Sequence, residues 1–182
     1  MTIKYFETER LCFRGWQEED KPEFALMNAD PEVMQYFLRR LDESESNAFV
    51  SRIESHFAAR GYGLWAVELK QNKEFIGFIG LTCTSFERDF TPCIEIGWRL
   101  KKSCWGNGYA TEGAGGCLFY GFNTLGLTEI YSFTSVLNKR SERIMQKIGM
   151  TKIKEFSHPN VPAANPLNKH VLYRIGKDEP VL

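Results

Sequence analysis

Ser103-Cys104-Trp105-Gly106-Asn107-Gly108-Tyr109-Ala110-Thr111-Glu112 is the stretch from which the fold is read. An apolar run, Ile94 to Leu100, precedes it and has the character of a strand. Tyr109 to Phe122 follows it and reads as a helix. A strand, then two glycines two residues apart, then a helix opening directly from the loop makes a natural anion site. Glycine lets the backbone come close to a ligand and take positive φ. The first N–H groups of the helix lack partners within it and point into the loop. A phosphate-bearing cofactor held by Trp105, Gly106, Asn107, Gly108, Tyr109 and Ala110 is the expectation. Glycine pairs also close ordinary loops, so the surroundings matter. There is no G-x-x-x-x-G-K-[ST], and Thr111 stands where a dinucleotide fingerprint would place its third glycine. The repeating strand–helix units of a dinucleotide fold are missing as well.

Working outward, Leu11 to Trp16 is β-rich, Asp20-Lys21-Pro22 opens a short helix, and Asp30-Pro31 starts another helical turn. Ser44 to Arg60 carries Phe49, Ile53 and Phe57 four residues apart, a helical stripe, and Gly61 to Gly63 ends it. The period then changes to two. Leu64–Leu69 and Phe75–Cys83 read as strands around the turn Lys70-Gln71-Asn72-Lys73. Beyond the glycine loop and its helix come a strand, Ile130–Val136, and a helix, Asn138–Ile148, with Asn138 as N-cap. Strands Thr151–Phe156 and His170–Ile175 close the chain. The order β-α-α-β-β-β-α-β-α-β-β predicts an α+β fold with a mixed sheet. Gly113, Gly115 and Gly116 conflict locally with the central helix, at about 1 kcal/mol each relative to alanine. Close helix–sheet packing accounts for them; a frayed helix start is the alternative.

Bulk properties narrow the class. The chain has 182 residues, 43% of them hydrophobic, which suits one packed domain spanning 1–182. Its net charge is zero, which argues against nucleic acid and membrane surfaces as partners. No run of about eighteen apolar residues occurs, and the opening MTIKYFETERL has no apolar signal core. Five cysteines without a C-x-x-C pair then suggest reduced thiols in a cytoplasm. Cys83 and Cys93 read as small core residues, and Cys104 has no histidine nearby in sequence to make it a nucleophile.

Trp105 to Glu112 resembles throughout the W-G-x-G-Y-A-T-E form of the pyrophosphate loop in GNAT acetyltransferases of the RimJ/RimL-like branch. Glu7 to Arg14 is similar to that branch's E-T-E-R-L-x-L-R opening. Asn138-Lys139-Arg140-Ser141, running to Gly149-Met150, matches N-x-x-S…G-F, and His158 to Ile175 matches H-P…H-x-L-Y-R-L. The matches keep the family's order from Glu7 to Ile175. The resemblance implies a GNAT-like fold with a V-shaped splay between the strands at 94–100 and 130–136. It implies acetyl-CoA as cosubstrate, no metal, and transfer of an acetyl group to a primary amine by direct attack in a ternary complex. The acceptor is a protein N-terminal α-amine or a small-molecule amine, and the chain a monomer or homodimer. A catalytically inactive CoA-binding sensor or interaction domain of the same fold is the alternative.

The resemblance also assigns roles. The strand Glu95–Leu100 would pair its backbone with the pantetheine arm through Ile96, Trp98 and Leu100, with an N–H near Ile96 to Trp98 as oxyanion donor. Ser103 stands where the family has Gln or Arg and so offers a hydroxyl without charge; Lys101 or Lys102 would compensate. Glu95 is the candidate base or ammonium ligand, since Ile94 and Ile96 put it on the opposite strand face; exposure, or pairing with Arg99, is the alternative. Where the superfamily usually has a thiolate-protonating tyrosine, this chain has Met145. Ser141 is then the implied hydroxyl, on one helical stripe with Asn138 and Met145, while Ile144 and Ile148 turn to the core. Plain capping is the alternative for Asn138 and Ser141. His56 reads as a surface residue, and His158 and His170 as acceptor-pocket lining or braces of the last loop. Tyr36, Phe37 and Tyr62 are candidate pocket walls and Trp65 a core residue.

Overall fold

The computed structural model describes residues 3–181. Its strands are β1 (Lys4–Glu7), β2 (Leu11–Arg14), β3 (Leu64–Leu69), β4 (Phe75–Thr84), β5 (Cys93–Leu100), β6 (Glu129–Ser135), β7 (Thr151–Ser157) and β8 (Lys169–Gly176). Its helices are α1 (Asp20–Ala29), α2 (Glu43–Arg60), α3 (Tyr109–Asn123) and α4 (Lys139–Lys147). The strands form one sheet in the order β1-β2-β3-β4-β5-β6-β8-β7, antiparallel except for the parallel pair β5–β6. This is the α+β architecture with a mixed sheet expected from the sequence.

Two local readings change, at β1 and at His56. β1 was not expected: it is a four-residue edge strand with charged Lys4 and Glu7 at its ends, features that keep an edge from recruiting other chains. Asp30-Pro31 starts a single turn, as expected, that does not extend into a helix. One bond from Met34 N–H to the Asp30 carbonyl closes a turn, and the chain then continues through turns to Leu41. His56 is half-buried, its ring edge-on to Tyr62, rather than a surface residue.

Periodicity explains the two cores. On one face of the sheet, Leu11, Phe13, Trp65, Val67, Ile79 and Leu81 pack under α3 with Ala114, Cys117 and Leu118. On the other, Ala66, Phe75 and Phe78 pack against Phe24, Met27 and Val50 of α1 and α2. The centre of the sheet is thus covered on both sides, so β4 is buried from Phe75 through Leu81. A register shift in the β3–β4 pairing, between Val67 and Glu68, lies opposite Gly77 at φ 131°, where an added Cβ would strike the Arg99 carbonyl. Trp65 is fully buried in an aromatic cluster with Tyr5, Phe6, Phe13 and Tyr120, as a core residue should be.

The glycines of α3 divide by face. A Cβ on Gly113 would run into Ile79, and one on Gly116 into Thr8, so these two permit close packing on the sheet and on the β1–β2 turn. Gly115 meets nothing. The helix is continuous from Tyr109 to Asn123.

The feature that positions the site is the seam between β5 and β6. β5 pairs with β4 at eight positions, from Thr84↔Cys93 to Gly77↔Leu100. With β6 it pairs at one, Glu95↔Tyr131. Beyond that point the strands part in a V, bridged by a hydrogen bond of 3.0 Å from the Ser132 hydroxyl to the Ile96 carbonyl.

Candidate functional site

The splay opens into a cleft of 1020 Å³ that runs from the glycine loop, past β5 and the start of α4, to the last hairpin. At one end stands the loop. Gly106 and Gly108 both adopt φ 80°, and Gly108 is the N-cap of α3 in the left-handed region. A Cβ on Gly106 would project into open space. The loop is built from both sides. Trp105 Nε1 donates to the Leu100 carbonyl at 3.0 Å, fixing the loop to the end of β5. The Asn107 side chain turns back to the carbonyls of Cys104 and Trp105 at 3.3 Å.

Two distant motifs meet here. Glu112, in the first turn of α3, accepts from the Thr8 hydroxyl at 2.6 Å, the Arg10 backbone N–H at 2.8 Å and Arg10 Nε at 2.6 Å. Arg10 also donates to the Asn107 carbonyl at 3.0 Å and lies over the Tyr109 ring. The Glu7 to Arg14 stretch and the glycine loop are therefore one construction: the β1–β2 turn braces the helix start. Burial raises the Glu112 carboxyl, but the bonds from Thr8 and Arg10 outweigh it and hold it below its ordinary value.

Cations reach the cleft from α4. Arg140 and Arg143 line it, and the Arg140 guanidinium stacks 4.7 Å from the centre of the Trp105 ring. Lys101 and Lys102, the expected substitutes for the family's charge at Ser103, lie outside the cleft lining and pair with carboxylates, Lys101 with Glu23 and Glu74 and Lys102 with Glu32. Ser103 and Asn107 are exposed and lie outside the cleft lining; Ile96, Trp98, Leu100, Trp105, Gly106, Gly108, Tyr109, Ala110, Asn138 and Ser141 are within it. The sequence offers Arg140 only as an unassigned position within the Asn138–Ser141 match, because nothing in it says that α4 starts opposite the loop.

On β5, alternation sorts the backbone as well as the side chains. The carbonyls of Ile96 and Leu100 accept from Ser132 and Trp105, so these residues present their backbone to the open seam. Trp98, between them, presents its N–H and C=O the same way. The other parity puts the Glu95, Gly97 and Arg99 side-chain positions on the α1–α2 face, with Arg99 against Asn28 of α1. Glu95 lines the cleft and accepts from the Thr84 hydroxyl at 2.6 Å. Burial pushes its carboxyl up to about 7, against the opposing pull of that hydroxyl. The alternative of a Glu95–Arg99 pair does not occur: Arg99 donates to Asn28 Oδ1 at 2.6 Å.

At the start of α4, Asn138 Oδ1 caps the Ser141 N–H at 3.2 Å. Asn138 Nδ2 donates to the hydroxyls of Thr134 and Ser141 at 3.1 Å each. Capping and cleft lining thus coincide in the same two residues. Met145 is buried yet borders the cleft; so does half-buried Ile144, which was expected to face only the core, while Ile148 does face it.

The far wall is aromatic. Tyr36 and Phe37 line it, whereas Tyr62 is buried against His56. His158 and His170 line it too, with ring centres 4.8 Å apart among Phe86, Phe133 and Phe156. Burial pushes His158 down to about 4 and lowers His170, so both imidazoles are neutral at pH 7. His158 also braces the loop through a bond from the Asn160 N–H to its Nδ1. Cys104 is buried and its thiol raised by burial, the wrong direction for a nucleophile.

Residues 10–151 match the family model of the acetyltransferase (GNAT) domain. The chain is similar to YkkB of Bacillus subtilis (strain 168), 33% identical over 158 residues, covering 86% of this chain and 91% of the relative. It is 31% identical over 190 residues to the FsC-acetyl coenzyme A-N(2)-transacetylase of Aspergillus fumigatus, covering 98% of this chain and 80% of the relative. In three dimensions it is similar to an acetyltransferase (GNAT family) from Bacillus anthracis, with a TM-score of 0.79, 27% identity, and coverage of 98% and 100% of the two chains.

Proposed function

The chain belongs to the GNAT acetyltransferase family, and from that premise we propose that it moves an acetyl group from acetyl-CoA to a primary amine by direct attack in a ternary complex. The observation that carries this reading is the placement of one cleft between a left-handed Gly106/Gly108 loop and a carboxyl that titrates near neutrality. The residues fit the donor: open space above Gly106, first-turn N–H groups of α3 that have no partner within the helix, and guanidinium groups of Arg140 and Arg143 on the facing helix. In this reading residues 1–182 work as one acyltransferase domain.

Acetyl-CoA supplies the activated acyl group; the chain supplies position and proton handling. The Trp105 N–H, expected from the sequence to join the cradle, is taken by the Lys102 carbonyl at 3.0 Å; main-chain N–H groups from Gly106 to Ala110 would hold the diphosphate, and the open edge of β5 at Ile96, Trp98 and Leu100 the pantetheine amides. The Trp98 N–H, facing the open seam, would meet the negative charge that develops on the thioester oxygen. A protonated amine must lose a proton before it attacks. A carboxylate titrating at about 7 is half ionised at that pH and matched to an α-amine of pKa about 8. Ser141, held by Asn138, would donate to the departing sulfur where Met145 cannot. The acceptor is a protein N-terminus or a small amine. Free thiols at all five cysteines accord with a reducing cytoplasm.

A thermal-shift panel tests this. Stabilisation by acetyl-CoA and not by ATP or NAD is expected, followed by release of free CoA thiol with an amine library. Stabilisation without thiol release from any amine would favour an inactive CoA-binding domain, the reading that Met145 keeps open. Stabilisation by ATP instead would refute both.

A further inference from the structure

Among the described residues two arginines are buried, and their surroundings differ. Arg14 donates to both oxygens of Asp20, at 2.7 and 2.8 Å, and to Glu68 at 2.6 Å. Arg99 lines the cleft, is 9% exposed, and has no carboxylate partner among the described residues. One of its groups, Nη1, donates to Asn28 Oδ1, and Asn28 is itself held by Ser46. Its Nε is buried without a hydrogen-bond partner among the described residues. Around it stand the rings of Phe37, Phe49 and Phe78, 4.1 to 5.6 Å from the guanidinium carbon. Burial lowers Arg99 to about 10, so it stays charged at neutral pH. Nearby acids are engaged elsewhere: Glu32 with Lys102, Glu95 with Thr84.

An unpaired buried cation is costly unless an anion completes it. We propose that the acceptor amine carries a carboxylate and that Arg99 is its receptor. The inference rests on reading the cleft as an N-acetyltransferase site, with Glu95 at the amine. Glu95 and Arg99 lie on one face of β5 four residues apart, about 13 Å along a strand. Allowing about 3 Å for a hydrogen bond at each end leaves about 7 Å between amine and carboxylate. Gly97 lies midway on that face, and a Cβ there would meet nothing within 4 Å, so the trough between the two heads is open. The fork of Arg99 left by Asn28 suits a planar carboxylate.

The test uses the full chain, with 5-aminopentanoate and 6-aminohexanoate titrated calorimetrically against their carboxamides. A short peptide with Asp at its second position, against its Asn counterpart, distinguishes a peptide's acidic side chain from a free amino acid. Wild type is expected to bind the acid of at least one pair roughly tenfold to a hundredfold more tightly than the amide. Arg99→Gln should erase the contrast while acetyl-CoA affinity is unchanged, Arg99→Lys should restore part of it, and Gly97→Val should weaken acid and amide together. Equal affinities in every wild-type pair, or an acid preference that survives Arg99→Gln, overturns the proposal. The wild-type contrast decides even if no variant folds. Thiol release is read alongside: turnover without acid preference sinks the Arg99 assignment alone, whereas acid preference without turnover of any amine sinks the transferase reading alone.

Discussion

Replacing Glu95 by Gln removes one titration and leaves an amide oxygen to accept from Thr84, so its effect on stability isolates the environment of that carboxyl. The group titrates at about 7 in place of its ordinary 4.5, because burial disfavours the charged form and the Thr84 bond offsets this only in part. Between those two values the folded protein keeps a proton that the unfolded chain has lost. Stability therefore falls as pH rises through that window and levels off above it. The full shift corresponds to about 3 kcal/mol; because Glu95 borders an open cleft, about 2 kcal/mol is the working figure. Wild type and Glu95→Gln should melt together near pH 5, and the variant should be the more stable near pH 8.5, by about 4–8 °C for a chain of this size. Thermal melts without ligand from pH 5 to 8.5 read this directly. Two curves that stay parallel across the range would refute the buried-carboxyl argument.

Other perturbations address the remaining parts. Gly108→Asp puts a side chain and a negative charge at φ 80° in the loop and should abolish acetyl-CoA binding by calorimetry. Glu112→Ala removes three hydrogen bonds that tie α3 to Thr8 and Arg10, and should cost about 2–3 kcal/mol in urea melts at pH 7. That deficit should shrink at acid pH, because a carboxyl held below its ordinary value contributes stability above that value and loses it as pH falls. Ser141→Ala should lower kcat about tenfold or more, with little change in acetyl-CoA affinity, if its hydroxyl meets the leaving sulfur; an unchanged kcat would return Ser141 to a capping role.

The elements that follow strong periodicity are those the sequence makes plain. Leu64–Leu69 and the loop-to-helix step at Tyr109 agree with the structure to the residue, because two cores impose alternation on β3 and Gly108 caps α3. β1 escaped notice because four half-exposed edge residues carry no apolar pattern. Within the site, the glycine loop was legible since positive φ restricts residue type. The partners of the loop were not: Glu112 reaches Arg10 across 102 residues, and Arg140 stacks on Trp105 only because β6 places α4 beside the loop. Glu95 could be put on a face by alternation, but its raised pKa and the solitude of Arg99 depend on what α1, α2 and the 30–41 segment bring over that face.

The central claim is that main-chain amides of the Gly106–Gly108 turn grip the diphosphate of coenzyme A. A crystal structure of the protein grown with CoA tests it most directly. Diphosphate oxygens are expected within about 3 Å of N–H groups between Gly106 and Ala110, with Arg140 or Arg143 alongside. Diphosphate lodged anywhere else, or CoA absent at saturating concentration, would contradict it.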